Sequence, residues 1–203
     1  MARSHTATGA KHAADRRAKS AAYGDDMLHP ATSGSVVVVG AGMVAHRFVE
    51  SLTRRDTDGR WSVTVLGDES RGPYDRVGLT GYFTGKSPEQ LSLDPAVLDH
   101  ERVRVHTDAR VTAIDRANRT VTTAGGSTYD YDRLVLATGS YAARLALDGF
   151  DHRGCFVYRT LDDVVAMRDW VARRSAQLGR PLRGAVVGGG LLGLEAAGAL
   201  QAE

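Results

Sequence analysis

Two glycine-rich runs carry residue types and spacings suited to chemistry. Gly40-Ala41-Gly42-Met43-Val44-Ala45 follows the pattern G-x-G-x-x-A, and Gly188-Gly189-Gly190-Leu191-Leu192-Gly193 follows G-x-G-x-x-G. In such a run the first glycine permits a tight turn, the second leaves room for a pyrophosphate, and the third small residue lets a helix pack close to a strand. The helix start then presents free N–H groups and the positive end of its dipole to the phosphates. An acid at the end of the next strand completes such a site by accepting the ribose hydroxyls. After the first run that acid is Asp68, with Glu69 as the second choice. The plain alternative is that both are solvated turn acids.

The flanking elements must hold these runs in place. Val36, Val37, Val38 and Val39 form an unbroken β-branched run, the habit of a parallel strand buried on both faces. Val44, Phe48 and Leu52 recur at i, i+4, i+8 and predict a helix with that apolar face. Trp61 to Leu66 predicts the next strand, so Val36 to Leu66 reads as a βαβ unit. Near the other run, Ala185-Val186-Val187 predicts a short strand and Leu191 to Gln201 a helix. Both runs are therefore expected as strand, sharp bend and helix, and two such loops imply two dinucleotides, commonly a flavin and a nicotinamide.

Between them the chain is rich in β-type residues. Val103 to Val105, Ala109 to Ile114 and Thr120 to Thr123 alternate apolar and polar, with turns at Asp115 to Arg119 and Gly125-Gly126. Leu134-Val135-Leu136 predicts another buried strand, running into Ala137-Thr138-Gly139. Beyond Thr160, the acids Asp162 and Asp163 precede Val164, Val165, Met167, Trp170 and Val171, then Arg173 and Arg174. This is an amphipathic helix with charges matched to its dipole, expected to pack on a sheet.

Composition narrows the classes. The 203 residues are 42% apolar and 25% charged with net charge +2, which fits a globular chain and excludes collagen-like and wholly disordered polymers. No run approaches the ~20 apolar residues of a membrane-spanning helix, and the charge balance argues against nucleic acid as partner. The single cysteine, Cys155, cannot form an internal disulfide, a CxxC pair or an iron–sulfur cluster; it reads as a small buried hydrophobe. The seven histidines lack metal-ligand spacing, and His46 reads as a packing or solvated residue of the first helix. No metal site is expected.

Residues 1–33 are expected to be a disordered tail, with Leu28 their one aliphatic core-type residue. They lack the apolar core of a secretory signal; a transit peptide is the sharper alternative, and Met27 an alternative start. The expected organisation is a tail over 1–33, a dinucleotide-binding domain over 34–150 and the start of a second over 151–203.

These segments together resemble the pyridine-nucleotide-dependent flavoprotein reductases. More narrowly, the run Gly42 to Phe48, Pro73-Tyr74-Asp75-Arg76-Val77-Gly78-Leu79, Leu134 to Tyr141 and Gly154 to Thr160 resemble the amino-terminal part of NAD(P)H-dependent nitrite reductase large subunits. The resemblance implies an α/β fold: a Rossmann-like FAD-binding βαβ domain with an inserted β-rich segment, then the truncated start of a Rossmann-like NAD(P)H-binding domain. It implies that the loop Gly40 to Ala45 and Asp68 hold the FAD diphosphate and ribose. Tyr74, Asp75 and Arg76 would lie along the flavin, Val111 would meet the adenine through its backbone, and Ala137, Thr138 and Gly139 would pass close by. Gly188, Gly190, Gly193 and Glu195 would serve NAD(P)H.

The implied activity is hydride transfer from NAD(P)H to FAD and onward electron transfer, in the cytoplasm, with no catalytic side chain required. Siroheme and an iron–sulfur cluster would belong to downstream segments or a partner subunit, and the chain is expected to be a fragment, inactive alone. Ferredoxin-type relatives carry Pro-Pro where this chain has Val77-Gly78 and a lysine where it has Gly81, which disfavours that branch. A nonenzymatic nucleotide-binding remnant is the remaining alternative.

Overall fold

The computed structural model describes residues 34–144 and 146–202. The expected disordered tail over 1–33 lies outside the described residues. The first strand, β1 (Gly34–Val39), is followed by α1 (Met43–Arg55) and β2 (Trp61–Leu66). Two short helices, α2 (Thr80–Phe83) and α3 (Pro88–Leu91), precede β3 (Val103–His106). Then come β4 (Val111–Asp115), β5 (Thr120–Thr123), β6 (Thr128–Asp130) and β7 (Arg133–Leu136). Two longer helices, α4 (Leu161–Leu178) and α5 (Leu191–Ala202), close the described chain.

Four strands form a parallel sheet in the order β3-β2-β1-β7, and β4-β5-β6 form an antiparallel one. Because alternate side chains of a strand point to opposite faces, β1 divides its valines between two cores. Val36 and Val38 pack with Ala45 and Val49 of α1 and with Val63, Val65 and Val103. Val37 and Val39 pack on the other side with Leu66, Ala109 and Val121. With a helix on one face and the antiparallel layer on the other, an uninterrupted valine run is the right sequence for this strand.

Several expectations need correction. The buried face of α1 is Ala45 and Val49, flanked by Phe48 and Leu52, while Val44 is 70% exposed, so Val44 does not belong to the expected apolar stripe. Val103–His106 belongs to the parallel sheet, paired with β2, and not to the β-rich insertion. β7 is an edge of the sheet and leaves Leu136 62% exposed, so it is not a buried strand. The helix α4 packs through Leu161, Val164 and Met167 against Tyr74, Leu79, Phe83, Leu91 and Ala199, so its partners are other helices and turns, not a sheet.

The second glycine run departs most. Ala185-Val186-Val187 forms no strand, and no described segment lies beside it to complete a hydrogen-bonded ladder. The bend and the helix do form. Cys155 is exposed, with its thiol donating to the Gly149 carbonyl oxygen at 3.4 Å, because it sits in the loop before α4 and not in an apolar core.

Candidate dinucleotide site

The carboxyl end of the parallel sheet gathers the residues of interest. Gly40 leaves β1 with φ of +105°, and its N–H donates to the Leu66 carbonyl oxygen at 2.8 Å. A Cβ at Gly40 would lie 2.2 Å from the Ala137 carbonyl oxygen, so only glycine suits this backbone and this approach. The Ala137 N–H in turn donates to the Val39 carbonyl oxygen at 2.8 Å. The segment Ala137-Thr138-Gly139 therefore runs alongside the bend, with Gly139 at φ of +68°.

Gly42 caps α1 without a side-chain acceptor for the first amides, and a Cβ there would meet nothing within 4 Å. Unfilled amide donors beside an open space that a side chain would occupy fit an anionic diphosphate, with the helix dipole adding attraction. The Ala41 methyl packs against Gly67, where an added Cβ would lie 2.7 Å from the Ala41 Cβ.

The two candidate acids at the end of β2 differ sharply. Asp68 is half-exposed and stands 4.0 Å from the Arg110 guanidinium, leaving its carboxylate accessible. Glu69 is committed within the protein. Its carboxylate accepts from the Tyr74 hydroxyl at 2.8 Å and forms an ion pair with Arg76. The Tyr74 oxygen also accepts the Leu161 N–H at 3.1 Å, where α4 begins. Burial, with the neighbouring Glu69 carboxylate adding to it, pushes the Tyr74 phenol up to about 12. Tyr74 is itself a buried member of the α4 core, and Arg76 stacks over its ring at 5.0 Å.

Val111 opens β4, paired with Thr123 and packed at the margin of the Val37 core. Spacing gave no sign of Arg110 beside Asp68, nor of Arg159, whose Nε donates to the Ser140 carbonyl oxygen at 3.1 Å next to Gly139. Both contacts join residues far apart in sequence, although Arg159 does lie within the Gly154 to Thr160 motif. In the second run Gly188 has φ of +128°, and a Cβ at Gly193 would lie 2.0 Å from the Gly188 carbonyl oxygen. Nothing lies within 4 Å of a Cβ at Gly190, and Glu195 is exposed one turn into α5. Through Ala199, α5 joins the core that holds Tyr74, so both runs belong to one packed body. His46 uses Nε2 to bond the Asp94 carbonyl oxygen at 2.9 Å, a packing role.

A parallel sheet whose first strand turns through an open glycine cradle into a helix defines a Rossmann-like dinucleotide-binding protein. Residues 34–202 match the family model described as pyridine nucleotide-disulphide oxidoreductase, and the chain belongs to that family. It is 42% identical over 167 residues to the nitrite reductase (NADH) large subunit of Escherichia coli, a match covering 82% of this chain and 19% of that protein. It is 36% identical over 165 residues to the ferredoxin–NAD(+) reductase component of a biphenyl dioxygenase system from Paraburkholderia xenovorans, covering 80% of this chain and 38% of the relative. Among solved structures, a ferredoxin reductase from Rhodopseudomonas palustris superimposes with a TM-score of 0.71 at 27% identity, over 83% of this chain and 40% of that one. The chain thus spans well under half the length of these relatives. Among the described residues no helix is long and apolar enough to cross a membrane.

Proposed function

We propose that this chain is the FAD-binding, electron-input part of an NAD(P)H-dependent nitrite reductase of the large-subunit type. The observation that carries the reading is the open cradle at Gly42, beside the Gly40 bend that Ala137 lines and followed by the accessible Asp68, in a chain so similar to a nitrite reductase large subunit. Bound there, FAD would supply hydride acceptance from nicotinamide and one-electron release. The protein's own task is placement. The amides from Gly42 to Ala45 bind the diphosphate, Asp68 accepts from the ribose hydroxyls, and the Val111 backbone meets the adenine. Ala137, Thr138 and Gly139 keep side-chain bulk away from the cofactor, and Arg76 lies along its flavin end. Gly188, Gly190, Gly193 and Glu195 receive NAD(P)H at the start of α5.

No side-chain acid or base is needed for hydride transfer, so none is assigned. Siroheme and iron–sulfur chemistry, and with them nitrite, belong in this reading to segments or subunits beyond these residues. A second reading, a reductase feeding a ferredoxin, draws support from the 36% identity to the dioxygenase component. Val77-Gly78 and Gly81 in place of Pro-Pro and lysine speak against it.

The test is reconstitution of the purified chain with FAD, followed by anaerobic addition of NADH or NADPH. The reading expects a one-to-one yellow complex, with the flavin absorbance bleached by the nicotinamide in the longest protein carrying this region but not in this chain alone. A chain that keeps no FAD at micromolar concentration would refute it. Acceptor screening with ferredoxin against nitrite, in the longest protein carrying this region, separates the two readings.

A further inference from the structure

We infer that Glu69 is not a ribose ligand but a positioning residue, a strut that holds Arg76 at the cofactor's flavin end and seats the start of α4. The inference rests on the flavin reading above and deepens it.

The Tyr74 hydroxyl has a single proton. Its oxygen already accepts the Leu161 N–H at 3.1 Å, and the proton goes to the Glu69 carboxylate, with Oε2 at 2.8 Å. The other oxygen, Glu69 Oε1, takes the Arg76 guanidinium. Tyr74 is buried, so water does not replace either partner. The Glu69 and Arg76 side chains are each about three-quarters buried. Such a carboxylate, with both oxygens engaged, is poorly placed to take a ribose diol as well. Asp68, one residue earlier, has no such commitment beyond a distant Arg110.

The same carboxylate meets two routes to α4. One is the phenol of Tyr74 to the Leu161 N–H; the other is Arg76 Nη1, which donates to the Arg159 carbonyl oxygen at 3.4 Å. A third tie, the ion pair of Arg71 with Asp162, lies outside this cluster and survives loss of Glu69. Glu69 therefore links the end of β2, the segment along the flavin and the first turn of the helix that opens the nicotinamide half.

The experiment compares Asp68→Asn with the isosteric Glu69→Gln in the full chain, reading binding of FAD and of ADP, which has the ribose and diphosphate but no flavin. It also reads hydrogen exchange at Leu161 and the next amides without cofactor. Asp68→Asn is expected to weaken both ligands about tenfold. Glu69→Gln is expected to weaken FAD about tenfold, hold ADP within about twofold, and speed exchange at Leu161 about tenfold. In an Arg76→Lys background the effect of Glu69→Gln on FAD should shrink to about twofold, because it acts through the guanidinium. Equal weakening of ADP and FAD by Glu69→Gln, an undiminished effect beside Arg76→Lys, or unchanged Leu161 exchange would each overturn the strut. If the parent chain binds neither ligand, the flavin reading itself falls, and exchange at Leu161 still decides whether Glu69 seats α4.

Discussion

Gly40 and Gly42 stand two residues apart and have opposite reasons to be glycine. At Gly40 the constraint is internal: a positive φ and a carbonyl oxygen 2.2 Å from any Cβ. At Gly42 the backbone is extended, with φ of −90°, and the space is open, so the constraint is external. Gly40→Ala should therefore destabilise the fold by about 2 kcal/mol or more, from left-handed strain plus a backbone clash. Gly42→Val should leave the melting temperature within a few degrees while weakening FAD binding at least tenfold. Thermal melts paired with flavin titration measure both, and a Gly42→Val chain that binds FAD normally would remove the diphosphate from this cradle. Sequence spacing placed these two glycines at a bend between a strand and a helix, and the structure has them between β1 and α1. Spacing left Asp68 and Glu69 ranked but not separated, because what distinguishes them is Tyr74, Arg76 and Leu161, whose proximity only the tertiary fold creates.

At the scale of elements, the edge strand β3 is fastened to the turn after α1 by one tie. Arg102 forms a buried ion pair with Asp56, and its Nη2 donates to the Asp56 carbonyl oxygen at 3.1 Å. The Asp56 carboxylate also accepts the N–H groups of Trp61 at 2.9 Å and Arg60 at 3.0 Å. Desolvation raises its pKa, but those two N–H donors and Arg102 outweigh it and hold the carboxyl below its ordinary range. A group depressed in the folded state contributes stability above its unfolded value, which is lost as pH falls through the folded one. Asp56 should thus stabilise fully at neutral pH and progressively less below about pH 4. Arg102→Ala should cost about 3 kcal/mol in urea unfolding at pH 7, since it strands a buried carboxylate. In Asp56→Asn the acid limb of the stability profile should flatten; an unchanged limb would show that other carboxylates govern it.

The elements themselves were legible wherever local chemistry settles them. The valine run of β1, the strand residues of β2 and the acidic start of α4 at Asp162 and Asp163 are read directly from residue order, while the Thr160–Asp163 capping box, with bonds of 3.1 and 2.8 Å, is seen only in the structure. The rest depended on neighbours. Val103–His106 looks like any half-buried strand until it pairs with β2, and Thr128–Asp130 is too short to signal itself. Ala185-Val186-Val187 has strand composition but no ladder beside it. A strand is a property of a pair.

Across the whole molecule, the apolar surface is unevenly covered. Leu191 and Leu194 of α5 are 84% and 65% exposed, and Leu192, Val187 and Leu136 are also exposed. Apolar area of this kind favours association, since each square ångström removed from water contributes roughly 25 cal/mol. The purified chain should therefore bind a hydrophobic dye and self-associate at micromolar concentration. Leu191→Lys with Leu194→Lys should suppress both with little change in melting temperature, as neither side chain is in the core. A parent chain that sediments as a monomer and binds no dye would contradict this.

The contact between Gly40 and the Ala137 carbonyl oxygen also has a consequence for biosynthesis. The bend emerges from the ribosome about 100 residues before the strand end that shapes it, an interval of roughly 5–20 s at ordinary elongation speeds. During that interval the Gly40 bend lacks the Ala137 segment that lies against it. On the flavin reading, cofactor capture would wait until translation has passed β7.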